Sequence, residues 1–340
     1  MARGPSWMAT VLAVAVCALL GLAALGGARA QQLNPGYYDG SCPNLYDTTR
    51  RVIQEARAGD PRILASLLRL HFHDCFVNGC DGSLLLDETP TMASEKAAAP
   101  NDRSARGFEV VDAIKAALEM TCPGIVSCAD ILALAAEISV ELAGGPYWRV
   151  MLGRRDGLTA NFNGAQNLPN PTERLDELKR KFAEFGLDDT DFVALQGAHT
   201  LGRAQCSSFQ DRLYNLSGTM RPDPTLDQAY LAELRQRCPA AVSDDDAALS
   251  NLDPITPDTF DNSYYAGVQR GRGLLRSDQA MLSAPEEGAA ATAPIVGRFA
   301  ASQADFFHSF ATAMIKMGNI APLTGSMGEV RRNCRVVNGY

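Results

Sequence analysis

The chain has 340 residues, with 31 Lys and Arg against 39 Asp and Glu and a formal net charge of −8. That acidic balance provides no basic face and argues against nucleic acid as a partner. Apolar residues make up 46% of the chain, enough for a sizeable core. No Pro/Ser-rich linker, charge run or internal repeat divides it.

The first thirty residues read as a signal peptide. Arg3 precedes an apolar run from Met8 to Leu25, and Ala28-Arg29-Ala30 has the small-x-small pattern of a cleavage site. The competing reading is a short membrane anchor, but the run is Ala-rich and the cleavage pattern follows it directly; no second run of that length appears. Cleavage removes two arginines and no acid, which takes the charge from −8 to −10. The product is expected to be a soluble, secreted protein, and the single domain is expected to span 31–340. The chain ends at Tyr340 without a long tail, which favours the extracellular space.

Further along, Ile63-Leu64-Ala65-Ser66-Leu67-Leu68 is apolar and helix-forming, and it leads into Arg69-Leu70-His71-Phe72-His73-Asp74-Cys75. Burying such a crowd of polar groups costs free energy unless each has a partner. Positions i and i+4 share a helix face, so Arg69 and His73 point together. His71 lies roughly 200° around the helix from His73 and faces elsewhere. A cationic neighbour lowers a histidine's pKa, which keeps His73 neutral and able to accept a proton.

Helical periodicity dominates the remainder. Apolar stripes run through Val111, Ile114 and Leu118, through Ile131, Leu134, Ala135, Ile138 and Leu142, and through Leu175, Leu178 and Phe182. Another runs through Phe306, Phe310 and Ile315, in a segment that also carries His308. Strand-like alternation is scarce, so the fold class is mainly α with little β. Long polar connections fall at 87–104, 153–171, 213–225 and 243–261, and loops of this length are often functional. Asn215-Leu216-Ser217 is a glycosylation sequon in one of them.

His199 lies in Leu195-Gln196-Gly197-Ala198-His199-Thr200-Leu201-Gly202, after Asp188-Asp189, which are suited to cap a helix. The small residues Gly197 and Ala198 leave room for something large and flat. A haem needs one proximal ligand, commonly histidine, and His199 is the best candidate. Asp74, Asp81 and Ser83 bracket Val77 and Gly79, while Thr200, Asp253, Thr256 and Asp261 form a second oxygen set. Each set suits Ca²⁺, although turn and capping chemistry is the plainer reading of either one alone.

Cys17 leaves with the leader, and the eight remaining cysteines read as four disulfides in an oxidising compartment. Spacing alone leaves 105 connectivities, although Cys75 and Cys80 could close a small loop. A zinc site at His71, His73, Asp74 and Cys75 is the rival, and it lacks the spaced ligand pairs of structural zinc.

Several long motifs then occur in order. They are Tyr38-Asp39-Gly40-Ser41-Cys42-Pro43, the Arg69–Asp81 run, Ser104-Ala105-Arg106-Gly107-Phe108, Val126-Ser127-Cys128-Ala129-Asp130, Leu152-Gly153-Arg154-Arg155-Asp156, the His199 segment, Phe260-Asp261-Asn262, Ser277-Asp278-Gln279 and Arg331-Arg332-Asn333-Cys334. Over its mature length the chain resembles the secretory plant (class III) haem peroxidases. The resemblance implies one haem b and two Ca²⁺. It makes Arg69, His73 and Asn101 the peroxide-cleaving set, with Phe72 shaping the pocket. His199 would be the iron ligand, Asp278 the carboxylate behind it, and Pro169 a residue at the donor opening. The distal calcium would take Asp74, Val77, Gly79, Asp81 and Ser83, linked through Glu95. The proximal calcium would take Thr200, Asp253, Thr256, Thr259 and Asp261. The implied disulfides are Cys42–Cys122, Cys75–Cys80, Cys128–Cys334 and Cys206–Cys238.

The implied activity is reduction of H2O2 with one-electron oxidation of phenolic donors by a monomer. A non-catalytic haem-binding wall protein is the alternative, and intact Arg69, His73 and His199 argue against it. Phe72, the leader and the cysteines argue against an intracellular ascorbate-type relative. Leu252, Ala99 and Ser208 depart from aromatic residues common in relatives, which bears on haem tuning and donor preference.

Overall fold

The computed structural model describes residues 33–240, 248–283 and 288–339, so the expected leader lies outside the described residues. Four helices build one half: α1 (Leu45–Gly59), α2 (Ile63–Cys75), α3 (Phe108–Thr121) and α4 (Cys128–Leu142). α2 packs along α4, and α1 lies against α3 and α4. The predicted stripes do this work, since Val111, Ile114, Leu118, Ile131, Ala135 and Ile138 have no solvent exposure.

The other half is built from α5 (Leu175–Glu184), α6 (Asp189–Gln196), α7 (Gln228–Arg237), α8 (Ser263–Gln269), α9 (Arg276–Ala280), α10 (Ala289–Ala301) and α11 (Gln303–Gly318). α11 packs against α6 and α10 and also reaches α2, which joins the two halves. The only strands among the described residues are β1 (Arg203–Gln205) and β2 (Leu249–Asn251), antiparallel with Ala204 opposite Ser250. The fold is therefore mainly α, as the periodicity requires. The long connections are less bare than expected, because 95–97, 162–165 and 216–218 each form a short helical turn.

Local chemistry starts and stops these elements. The Asp188 carboxylate accepts the amides of Thr190 and Asp191 and caps α6. Ser127 accepts the Asp130 amide at the head of α4, and Ser302 does the same for α11. Asp130 is itself fully enclosed. It accepts from Tyr38 at 2.8 Å and pairs with Arg154 at 2.7 Å, and the Arg154 Nε donates to the Gly318 carbonyl at 3.0 Å. This clamp fixes the head of α4 to the tail of α11. The disulfides are Cys42–Cys122, Cys75–Cys80, Cys128–Cys334 and Cys206–Cys238, the four pairs that the family resemblance implies.

An aromatic column sets the spacing of the halves. Phe72 on α2 stacks on Phe182 of α5 at 6.5 Å, and Phe182 meets Phe192 of α6 edge-on at 5.0 Å. Such close-packed rings leave little freedom for the two helices to slide.

One buried carboxylate lies apart from the histidines and the oxygen-rich loops. Glu137 on α4 is fully enclosed, and its carboxylate has no side-chain partner, only the facing Trp148 amide. Burial, then the neighbouring Glu141, push its carboxyl up to about 8 from an ordinary 4.5, with the Trp148 amide and then Arg50 of α1 opposing. The folded state therefore holds this proton more tightly than the unfolded chain. Its stabilising effect is complete below the unfolded pKa and disappears as pH rises towards 8. Urea titrations should show the wild type losing about 3 kcal/mol more than Glu137→Gln between pH 5 and pH 8. Parallel pH profiles for the two proteins would contradict this.

Candidate functional site

The helical spacing of α2 brings Arg69 and His73 together, with Arg69 Nε donating to His73 Nε2 at 3.1 Å. The same guanidinium is held from behind by the Pro100 carbonyl at 2.7 Å and Ser104 Oγ at 3.1 Å. On the other side of the imidazole, Nδ1 meets Asn101 Oδ1. Asn101 Nδ2 donates to the Glu95 carbonyl at 2.8 Å, which fixes the amide's orientation. Asn101 Oδ1 must therefore accept, so His73 carries its proton on Nδ1 and keeps a lone pair on Nε2. Burial first and Arg69 second push the His73 pKa well below its usual value, while Asn101 partly opposes them. The direction matches the sequence expectation, but burial is the larger cause. Burial also draws Arg69 down, to about 10, still cationic at neutral pH.

His71 faces away from this set. It is buried against Cys75 Sγ, with Nδ1 at 3.6 Å, and burial and Arg154 lower its pKa to about 3. His71, Cys75 and Cys80 lie close enough to hold a metal ion, but both sulfurs are spent in a disulfide. The zinc alternative fails on that bond.

His199 lies in the tight turn Gly197–Thr200 that ends α6. Its Nδ1 lies 2.7 Å from Asp278 Oδ1, inside the enclosed α9. Asp278 also accepts from Tyr264 Oη at 2.9 Å and the Leu275 amide at 2.8 Å. Three donors aim the carboxylate at the ring, so the His199 proton sits on Nδ1 and Nε2 is left as a ligand atom. Among the described residues nothing bonds that nitrogen, and the side chain is 27% exposed amid buried neighbours. These donors fit a haem iron. The role expected for Gly197 needs correction. A Cβ there would lie 2.3 Å from Tyr265 Oη and 2.4 Å from Phe306, so its smallness admits the protein's own rings rather than a flat ligand.

The two oxygen sets also assemble. Asp74 Oδ2 accepts the Gly82 amide at 3.0 Å, and Asp81 Oδ1 accepts the Ser83 amide at 3.0 Å. Asp74 Oδ1 and Glu95 Oε2 are buried without a close hydrogen bond, and Ser83 Oγ, buried between them, faces the Asp81 and Glu95 carboxylates. Glu95 Oε1 accepts the Asn161 amide at 2.8 Å. Burial and mutual repulsion push Asp74 well up and Glu95 to about 7. Orphaned oxygens on converging acids fit a hard cation. Gly79, at φ +95°, closes the turn between Val77 and Asp81, and a Cβ there would strike the Ala321 carbonyl at 2.7 Å.

In the second set, Thr256 Oγ1 lies 3.1 Å from both Asp253 Oδ2 and Asp261 Oδ1. One hydroxyl proton can satisfy only one of the two carboxylates. Thr200 Oγ1 lies 3.3 Å from the Thr259 carbonyl, and the Asp261 amide is 3.5 Å from the same hydroxyl. Asp261 Oδ1 also accepts the Ser263 amide at 2.7 Å, so no buried oxygen of this set is orphaned among the described residues, and the fit of these five residues to a cation rests on their hard oxygen donors alone.

The other expected residues stand apart. Pro169 is half-buried and touches neither histidine through any bond among the described residues. Asn215 is exposed, with its Oδ1 accepting the Met220 amide at 2.8 Å. Ala99 is exposed, and its amide donates to Gln166. Leu252 belongs to a smaller apolar cluster with Phe209 and Leu234. Three participants were missed by the sequence reading: the Pro100 carbonyl, Asn161 and Tyr264. Ser104 lay in a noted motif, but Tyr264 carried no signal beyond following Asp261-Asn262.

Comparison with known proteins agrees with this geometry. The family model described as Peroxidase matches residues 48–302. Peroxidase 54 of Arabidopsis thaliana is 56% identical over 319 residues, covering 94% of this chain and 88% of that protein. Peroxidase 15 of Ipomoea batatas is 57% identical over 309 residues, covering 90% and 93%. Peroxidase C2 of Armoracia rusticana is 52% identical over 309 residues, covering 90% and 88%. The chain belongs to the plant peroxidase family, whose members carry haem and calcium, and it is a peroxidase enzyme.

Proposed function

We propose that the protein binds one haem b between His199 and the Arg69–His73 face, together with two Ca²⁺, and oxidises small phenolic donors with H2O2. The observation that carries this reading is the pair of oriented imidazoles. His73 is held by Asn101 and His199 by Asp278; among the described residues His199 Nε2 has no partner, and His73 Nε2 accepts only from Arg69 Nε. When bound, the haem iron supplies the two oxidising equivalents taken from peroxide. His73 accepts a peroxide proton at Nε2 and returns it to the departing oxygen. Arg69 stabilises the negative charge that develops as the O–O bond breaks. Asn101 holds the tautomer and raises the basicity of His73, while Asp278 increases electron donation by His199.

Glu95 connects the two functions of the distal side. Its carbonyl accepts from Asn101, and its carboxylate joins Asp74, Val77, Gly79, Asp81 and Ser83 around the distal calcium. Thr200, Asp253, Thr256, Thr259 and Asp261 take the proximal calcium next to the iron ligand. Pro169 is assigned to the donor opening. Residues 31–340 are read as one domain, working as a monomer outside the cell with a glycan on Asn215. Among the described residues no helix is long and apolar enough to cross a membrane. The non-catalytic wall-protein alternative has no observation in its favour.

Elemental analysis of the purified protein, alongside its absorption spectrum, tests the composition. The expected result is a Soret band with one iron and two calcium ions per chain. A protein that folds without either metal would overturn the proposal.

A further inference from the structure

A run of buried rings leads from the proximal histidine to Trp148, the chain neighbour of the exposed Tyr147. Tyr264 Oη and His199 Nδ1 share one acceptor, Asp278 Oδ1, and their rings meet edge-on at 6.2 Å. The Tyr264 ring lies 5.0 Å from Tyr265, and Tyr265 lies 5.0 Å from Phe306. Phe306 is 5.8 Å from Phe310, which is 5.9 Å from Trp148. None of these six residues other than His199 is more than 6% exposed, whereas Tyr147, the next residue in the chain, is 61% exposed.

We propose that Tyr147 is a second oxidation site, at the protein surface, for phenolic donors too large to approach the haem, with Tyr264 and Trp148 as relays. The proposal rests on the haem peroxidase reading above. The chemistry of the ladder favours particular stations. Oxidising a phenol near neutral pH requires a proton acceptor, and Tyr264 donates directly to a carboxylate. Tyr265 donates to the Val193 carbonyl at 2.8 Å, which cannot take a proton, so its ring acts as a bridge. The phenylalanine rings are too hard to oxidise and also serve only as packed bridges. The Trp148 indole loses an electron more readily, and Tyr147 can release its proton to water.

The step balances. Peroxide leaves two oxidising equivalents at the haem. One electron passes from Tyr147 along the ladder, and the phenolic proton leaves to solvent. The large donor's O–H bond then breaks, its hydrogen atom passes to the Tyr147 oxygen, and a donor phenoxyl radical departs. Two such turns supply the two electrons and two protons that complete the conversion of peroxide to water.

Holoenzyme is mixed with one equivalent of H2O2 and a nitroso spin trap in the absence of donor, and the trapped peptides are mapped. The haem spectrum is recorded on the same samples. The wild type is expected to carry an adduct at Tyr147, Tyr147→Phe none there, and Trp148→Phe about tenfold less. Oxidation of polymer-bound phenol, relative to free phenol, is expected to fall about tenfold in Tyr147→Phe. A wild-type haem that responds to peroxide with no adduct at Tyr147 overturns the proposal and leaves the peroxidase reading intact. An unchanged donor ratio in Tyr147→Phe also overturns it. A haem that does not respond to peroxide overturns both readings, and the spectrum tells these failures apart.

Discussion

Replacing His73 with alanine should slow the reaction of the haem-loaded protein with H2O2 by about 10²-fold to 10⁴-fold, the range for loss of a general acid–base group. The reason lies in how the ring is held. Asn101 pins Nδ1–H, so the only basic atom on this face is Nε2, and burial with Arg69 keeps it unprotonated. Arg69 would remain anchored by Pro100 and Ser104 without His73, so the charge-stabilising group survives the substitution. The loss should therefore appear in the peroxide step while the Soret band and thermal stability change little. Stopped-flow absorbance measures it. A variant reacting at the wild-type rate would remove His73 from the mechanism.

Stripping calcium should lower Tm by on the order of 10 °C and slow the peroxide reaction together. Asp74 and Glu95 are enclosed with an orphaned oxygen each, and Asp81 lies beside them. Without a cation, burial and mutual repulsion drive Asp74 and Glu95 towards taking up protons, and removing one partner from a buried charge cluster costs about 3–5 kcal/mol, equivalent to roughly 10 °C in a domain of this size. Activity should follow because the Glu95 carbonyl holds the Asn101 amide that orients His73. Chelation followed by calorimetry and peroxide kinetics tests both, with re-addition of Ca²⁺ restoring them. Loss of stability with peroxide kinetics untouched would break the proposed link through Glu95.

Only short-range parts of this site could be read from residue spacing. Arg69 and His73 are one helical turn apart, so periodicity alone paired them and turned His71 away. Asp188 announced the start of α6 through its capping chemistry. Longer connections had no such rule. Asp278 lies 79 residues from His199, and Asn101 reaches His73 across 28 residues of mostly loop. Those partners, and the disulfide pairing, came from family resemblance rather than from geometry. Gly197 was misread because a missing side chain signals close approach without saying of what. The ladder from Tyr264 to Trp148 was illegible for a similar reason, since its rings come from α8, α11 and the segment after α4.

The division of labour between the two histidines is tested most directly by the Soret-region spectrum of haem-loaded His199→Gly with and without added imidazole. The expected result is an altered spectrum that free imidazole returns to the wild-type form, because the Asp278 carboxylate remains to orient the added ring. A wild-type spectrum in His199→Gly without imidazole would contradict the assignment of His199 as the ligand, and with it the account of both faces.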